Sequence, residues 1–130
     1  MSSLRRTAPL VLAGAFGTSG IVHLVRPSSF DAIMPRLVPA RLHRALIYAS
    51  GAVELACAAG LVRSDRWASP LSIAVLVGVF PANVQMALDA GTGRNPGIAD
   101  SPVLAWGRLP LQAAMIWAAR QDRSRAEAGR

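Results

Sequence analysis

The sequence predicts an all-α fold, a bundle of four transmembrane helices with a short interfacial helix in the first outer connection. Three observations carry that expectation. Of the 130 residues, 52% are apolar and 16% charged, with a mean hydropathy of +0.36, whereas an average soluble domain is about one-quarter charged. The charges that exist fall almost entirely outside four long stretches. Within those stretches polar residues do not recur every few positions, as the wet face of a soluble amphipathic helix would require.

The elements follow in order. Thr7 to Val25 has no Asp, Glu, Lys or Arg; Ala45 to Val62 has only Glu54; Trp67 to Leu88 has none; Ser101 to Ala119 has only Arg108. A helix needs about 20 residues to cross the hydrocarbon layer at 1.5 Å per residue. The stretches therefore read as spans over 8–25, 45–62, 68–89 and 103–119 of one membrane domain, 1–130, with a charged tail at 120–130 expected to fray. Gly14, Gly17 and Gly20 recur every three residues in the first span and predict a face for close helix packing, since little hydrophobic force draws helices together in lipid.

The first connection, Arg26 to Arg44, is punctuated by Pro27, Pro35 and Pro39 and carries Phe30, Ile33, Met34 and Leu37. A short helix capped by Ser28 or Ser29, opening at Phe30 and stopped by Pro35, is expected there, lying in the outer interface or over the bundle mouth. A plain greasy connector is the alternative. The second connection is short and predicts antiparallel neighbours. The third, Ala90 to Pro102, holds Gly91, Gly93, Pro96 and Gly97 and reads as mobile turn chemistry. Pro81 removes a backbone donor inside the third helix and is expected to kink it and free the Val77 carbonyl, which Asn83 could help satisfy.

Charge sets the orientation and excludes several classes. Fourteen Arg and no Lys face five Asp and two Glu, for a net charge of +7. Arg5, Arg6, Arg63, Arg66, Arg120, Arg123, Arg125 and Arg130 would lie on one side; Arg26, Arg36, Arg41, Arg44 and Arg94 would lie on the other. The excess predicts both termini in the cytoplasm, for a multi-pass membrane protein. An uncleaved first helix is a simpler reading of the start than a signal peptide ending at Ala13-Gly14-Ala15. The apolar content excludes disorder. Cys57, the only cysteine, excludes a disulfide scaffold or a cysteine metal site. No nucleic-acid surface is expected, because the arginines are not interleaved with aromatic or polar base readers.

Ionisable and amide groups inside spans are costly and are therefore the candidate site. They are His23, Glu54, Asn83, Arg108 and Gln112, gathered in the outer half of the bundle. Glu54 falls about 14 Å down the second helix and Arg108 about 8 Å down the fourth, so an ion pair between them is expected, with His23 and Asn83 nearby. Such a pair could serve a ligand or a proton, or could only fix which helices touch. Gln85 is rotated about 200° from Asn83 and should face elsewhere. Cys57 reads as a small core residue and His43 as an outer-surface one. No catalytic triad, phosphate-binding glycine loop, metal spacing or resident cofactor is evident.

His23 with Pro27-x-x-Phe30-x-x-Ile33-x-Pro35, then Tyr48-x-Ser50-Gly51-x-x-Glu54, resembles the DoxX-like small membrane proteins of bacteria. Phe80-Pro81-Ala82-Asn83-x-x-Met86 and Arg108-x-Pro110-Leu111-Gln112 resemble that family's third and fourth helices. The resemblance implies a four-helix inner-membrane protein whose relatives include the small subunit of a thiosulfate:quinone oxidoreductase and a membrane partner in oxidative-stress complexes. It implies an accessory subunit of a quinone-linked redox system, with no autonomous catalytic constellation, and His23, Glu54, Asn83 and Arg108 at recurring positions. Paired cysteines of redox-active relatives are missing. Two other roles stay open: a structural or assembly partner of a membrane complex, as a single chain or an oligomer, and a small-molecule or proton pathway.

Overall fold

The computed structural model describes residues 2–129. Four α-helices follow one another, α1 Ser3–Val25, α2 Ala40–Arg63, α3 Ala68–Leu88 and α4 Pro102–Ala128, with short 3-10 helices at Pro27–Ile33 and Gly97–Asp100 in the first and third connections. Packing runs round a ring, α1 on α2, α2 on α3, α3 on α4 and α4 back on α1. The short turn after α2 makes α2 and α3 antiparallel, as expected. Ser64 takes a left-handed conformation (φ 57°, ψ 41°), the Asp65 N–H returns to the Gly60 carbonyl at 2.9 Å and the Ser64 N–H to Leu61 at 3.3 Å. This paired closure satisfies two carbonyls at the helix end. Arg6, Ser64 and Gly129 border one groove, so both chain ends meet at the same end of the bundle.

Three helices, α1, α2 and α3, are long and apolar enough to cross a membrane. α4 is longer, but Arg108, Gln112 and the charges beyond Ala119 make it less apolar. The side chains are arranged as lipid immersion would demand. Val11, Ile21, Val77, Leu88, Val103 and Leu111 point outward, while His23, Glu54, Ser72, Asn83, Gln112 and Asp122 are buried. In water that arrangement would leave a large apolar surface uncovered.

Helix ends differ from the charge-free windows. α2 opens at Ala40 with Pro39 as its cap, and Arg41 and Arg44 lie on its exposed side. Charges end a span without ending a helix, because their side chains reach polar surroundings from a helical backbone. The first-connection helix opens at Pro27, not Phe30, and is 3-10 without a side-chain cap. The tail expected to fray is helical to Ala128. Asp122 is fully buried in it, Arg125 lies 3.4 Å from Asp122, and Arg123 and Glu127 pair at 3.5 Å one turn apart.

The glycine repeat of α1 does not act as one face. A Cβ on Gly20 would lie 2.8 Å from the Gly51 carbonyl oxygen, and one on Gly51 would lie 2.7 Å from His23 Cβ and 3.0 Å from the Gly20 oxygen. The backbones of α1 and α2 touch there because neither residue has a side chain. Gly17 makes only ordinary contact with Ala58 at 3.9 Å, and a Cβ on Gly14 would meet nothing within 4 Å. Two apolar clusters fill the interior, one around Leu12, Phe16, Leu61 and Leu76, the other around Met86, Ala87 and Ala105 at the loop end.

Candidate functional site

The Gly20–Gly51 crossing brings the first two candidate residues together. His23 lies one turn after Gly20 and Glu54 one turn after Gly51 on the antiparallel partner. The His23 Nδ1 atom is 3.2 Å from Glu54 Oε2 and 2.8 Å from the Ser19 carbonyl oxygen. A carbonyl only accepts, so Nδ1 carries the hydrogen and leans between two acceptors. The contact with Glu54 is an ion-pair distance without hydrogen-bond alignment, and Oε2 stays buried with no hydrogen-bond partner among the described residues. Phe30, from the 3-10 helix, stacks on the imidazole with centroids 3.7 Å apart and planes 15° apart. The site is therefore a buried carboxylate beside an oriented imidazole, roofed by an aromatic ring. Such a pair can hold one proton in either of two places and can hydrogen-bond a carbonyl or hydroxyl ligand.

Asn83 and Gln112 form a second pair, across α3 and α4. Asn83 Nδ2 donates to Gln112 Oε1 at 2.8 Å, and Gln112 Nε2 donates to the Leu76 carbonyl. This clamp spans the part of α3 interrupted by Pro81. Asn83 does not serve the carbonyl freed at Val77 as expected: its side chain pairs with Gln112, which reaches across from α4 to the neighbouring Leu76 carbonyl. Buried amides satisfied in this way fix helix register.

The expected Glu54–Arg108 ion pair does not form. Arg108 is exposed, and among the described residues no carboxylate lies within ion-pair distance of it. Leu109, packed against Met86, Ala87 and Ala105, takes the inward position of that turn and rotates Arg108 outward. Cys57 is buried in the core, as expected. Gln85 does face away from the Asn83 pair and donates to Asp89 at 2.8 Å. Two open grooves lie at the end that carries the termini, between α1 and α2 and between Arg6, Arg63 and Arg125, away from Glu54. Among the described residues no three His, Cys, Asp or Glu side chains cluster as metal ligands.

The loop end holds a network that sequence reasoning missed. Asp89, buried at the end of α3, accepts two bonds from Arg36 Nη2 at 2.8 and 3.0 Å, one from Arg94 at 3.1 Å and one from Gln85. Burial pushes the Asp89 carboxyl up, but the Gln85 and Arg94 hydrogen bonds and the Arg36 charge outweigh it and hold it below the usual value. The third connection is not loose: Asp100 accepts from Gly93 at 2.9 Å and from Asn95 at 3.3 Å, and its own carbonyl from Gly91 at 2.8 Å. Gly91 and Gly93 have φ of 80° and 77°, which glycine adopts without strain. One signal was present. An acidic residue at a helix C-terminus faces the negative end of the dipole and needs cations around it.

Fold and site together define an all-helical protein with three helices able to cross a membrane and polar pairs inside. The particular family is given by residues 12–123, which match the model of a domain of unknown function, DUF8561, and the chain belongs to that family. No curated protein and no solved structure matches this chain.

Proposed function

We propose that this chain is a four-span integral protein of a bacterial inner membrane, with both termini cytoplasmic, serving as an accessory subunit of a quinone-linked redox system. α4 joins the three apolar helices as a span because it packs along α3 and α1 and turns its charged third to the end bearing the termini. The DoxX-like resemblance supports the redox setting. The observation that carries the reading is the buried Glu54 Oε2, at ion-pair distance from His23 and with no hydrogen-bond partner among the described residues. An imidazole and a carboxylate side by side suit a quinone head group, one accepting and the other donating as the ring oxygens change protonation.

Protein purified in mild detergent should retain or bind a ubiquinone analogue, read by extraction and mass spectrometry. Glu54→Gln and His23→Ala should each lower retention at least tenfold, and Arg108→Ala should leave it unchanged. Failure of the parent to bind any quinone, or equal retention by the Glu54 variant, removes the reading.

One observation favours a second role, as a structural or assembly partner. Arg108 is exposed on α4 among Val103, Leu104 and Leu111, which are also exposed. A guanidinium on such a face is costly in lipid and would be relieved by an acidic group on a membrane partner or a second copy. A companion that co-purifies with the parent and is lost from the Arg108→Ala variant supports this role.

A further inference from the structure

The end of the bundle bearing the termini has no part in the quinone site, yet two open grooves lie there. One, of about 560 Å³, is a slot between α1 and α2 lined by Leu10, Gly14, Ala58 and Val62. The space is open at Gly14, where an added Cβ would touch nothing within 4 Å. The other, of about 630 Å³, opens between Arg6, Arg63 and Arg125. Leu10 and Arg63 border both, so an apolar slot runs into a mouth of three guanidinium groups.

The donors of that mouth are only partly used. Arg63 gives Nε and Nη2 to Asp65 Oδ2 at 3.0 and 2.6 Å, leaving Nη1. Arg125 turns Nη1 to Asp122 at 3.4 Å, leaving Nε and Nη2. No described residue accepts a hydrogen bond from the Arg6 guanidinium. Two aspartates stand against three guanidinium groups, so the mouth keeps a positive surplus that suits an anionic phosphodiester. Guanidinium groups are well shaped for phosphate oxygens, and basic pockets between helices at the cytoplasmic side bind anionic head groups.

The geometry points to a site for one anionic phospholipid, with its phosphodiester among Arg6, Arg63 and Arg125 and an acyl chain in the α1–α2 slot. Continuity of the two grooves selects a lipid over a free phosphate, which would use the mouth alone. The inference rests on the reading that α1 and α2 lie in a bilayer.

The test is native mass spectrometry of the full chain in mild detergent, offered phosphatidylglycerol, phosphatidylcholine or inorganic phosphate. Phosphatidylglycerol should be retained at least tenfold over phosphatidylcholine, and millimolar inorganic phosphate should not displace it. The double variant Arg6→Gln with Arg63→Gln, which spares the Arg125–Asp122 contact, should lower retention tenfold. Gly14→Leu, whose side chain enters open space, should lower it at least threefold while quinone retention is unchanged. Equal retention of the two lipids, displacement by phosphate, or parental retention in either variant overturns the site. A chain found dispersed in the aqueous fraction without detergent would instead overturn the membrane reading beneath it.

Discussion

Replacing Gly51 by Ala and, separately, Gly14 by Ala applies one chemical change to two glycines of the same helix pair with opposite expected signs. At Gly51 the new methyl would sit 2.7 Å from His23 Cβ and 3.0 Å from the Gly20 carbonyl oxygen. Carbon atoms rest at about 3.5–4.0 Å, so α1 and α2 must part by roughly 0.8 Å. One obstacle is backbone and the other a Cβ, so neither can swing aside. Overpacking of this kind costs about 1–3 kcal/mol, offset by about 0.5–1 kcal/mol of helix propensity gained on losing a glycine. The net loss is about 1–2 kcal/mol, and His23 moves away from Glu54. At Gly14 no atom lies within 4 Å, so only the propensity gain of about 0.5–1 kcal/mol remains. Thermal unfolding in mild detergent, followed by helical circular dichroism, reads both. At about 4 °C per kcal/mol, Gly51→Ala should melt several degrees below the parent and Gly14→Ala a few degrees above it. Equal shifts, or a Gly51→Ala protein as stable as the parent, would refute the placement of the α1–α2 contact.

Gln112→Leu should cost about 2 kcal/mol, because it strands the buried Asn83 amide and removes the bond from α4 to the Leu76 carbonyl. Asn83→Leu should cost less, since Gln112 keeps its carbonyl partner, and the two melting temperatures measured side by side decide this. Asp89→Asn should speed tryptic cleavage at Arg36 and Arg94 several-fold by releasing both guanidinium groups. Because the Asp89 carboxyl is held below its usual value, its ionised form stabilises the fold above the ordinary carboxylate range. That contribution is lost only as pH falls through the lowered value, so the melting difference between parent and Asp89→Asn should persist at neutral pH and vanish in acid. Arg108→Leu should change the stability of the isolated chain by less than about 0.5 kcal/mol; a loss of several degrees would reveal an interior ion pair.

Helix existence was legible because an apolar run of about 20 residues without charge suits a membrane span and little else. Helix ends were not. Arg41 and Arg44 sit inside α2, and Asp122 sits buried inside α4, where a rule built on charge placed a connection and a tail. The polar set was legible by residue type, and four of its five members are buried. Its pairing was not, because counting residues from a span end gives depth but not rotation about the helix axis. Arg108 and Glu54 were matched by level and reach, whereas Leu109 holds the inward azimuth of that turn. His23 found Glu54 because two glycines let the backbones meet, and only Gly20 of the three repeated glycines is packed tightly. The Asp89 network joins residues 53 apart in the chain, a separation that no periodicity records.

The segment between Pro27 and Pro39 is held by two kinds of fastener: apolar contacts, Phe30 on His23 and Ile33 against the Met86 cluster, and ion pairs from exposed arginines, Arg36 on Asp89 and Arg44 on Asp31. The two kinds answer to different solvents. Arg36 is largely exposed, so added electrolyte weakens its grip within a few ångströms of screening length, while the stacked rings are indifferent to ions. Raising ionic strength should therefore loosen Arg36 and Arg44 while Phe30 stays seated over the imidazole and His43 keeps its bond to the Val38 carbonyl.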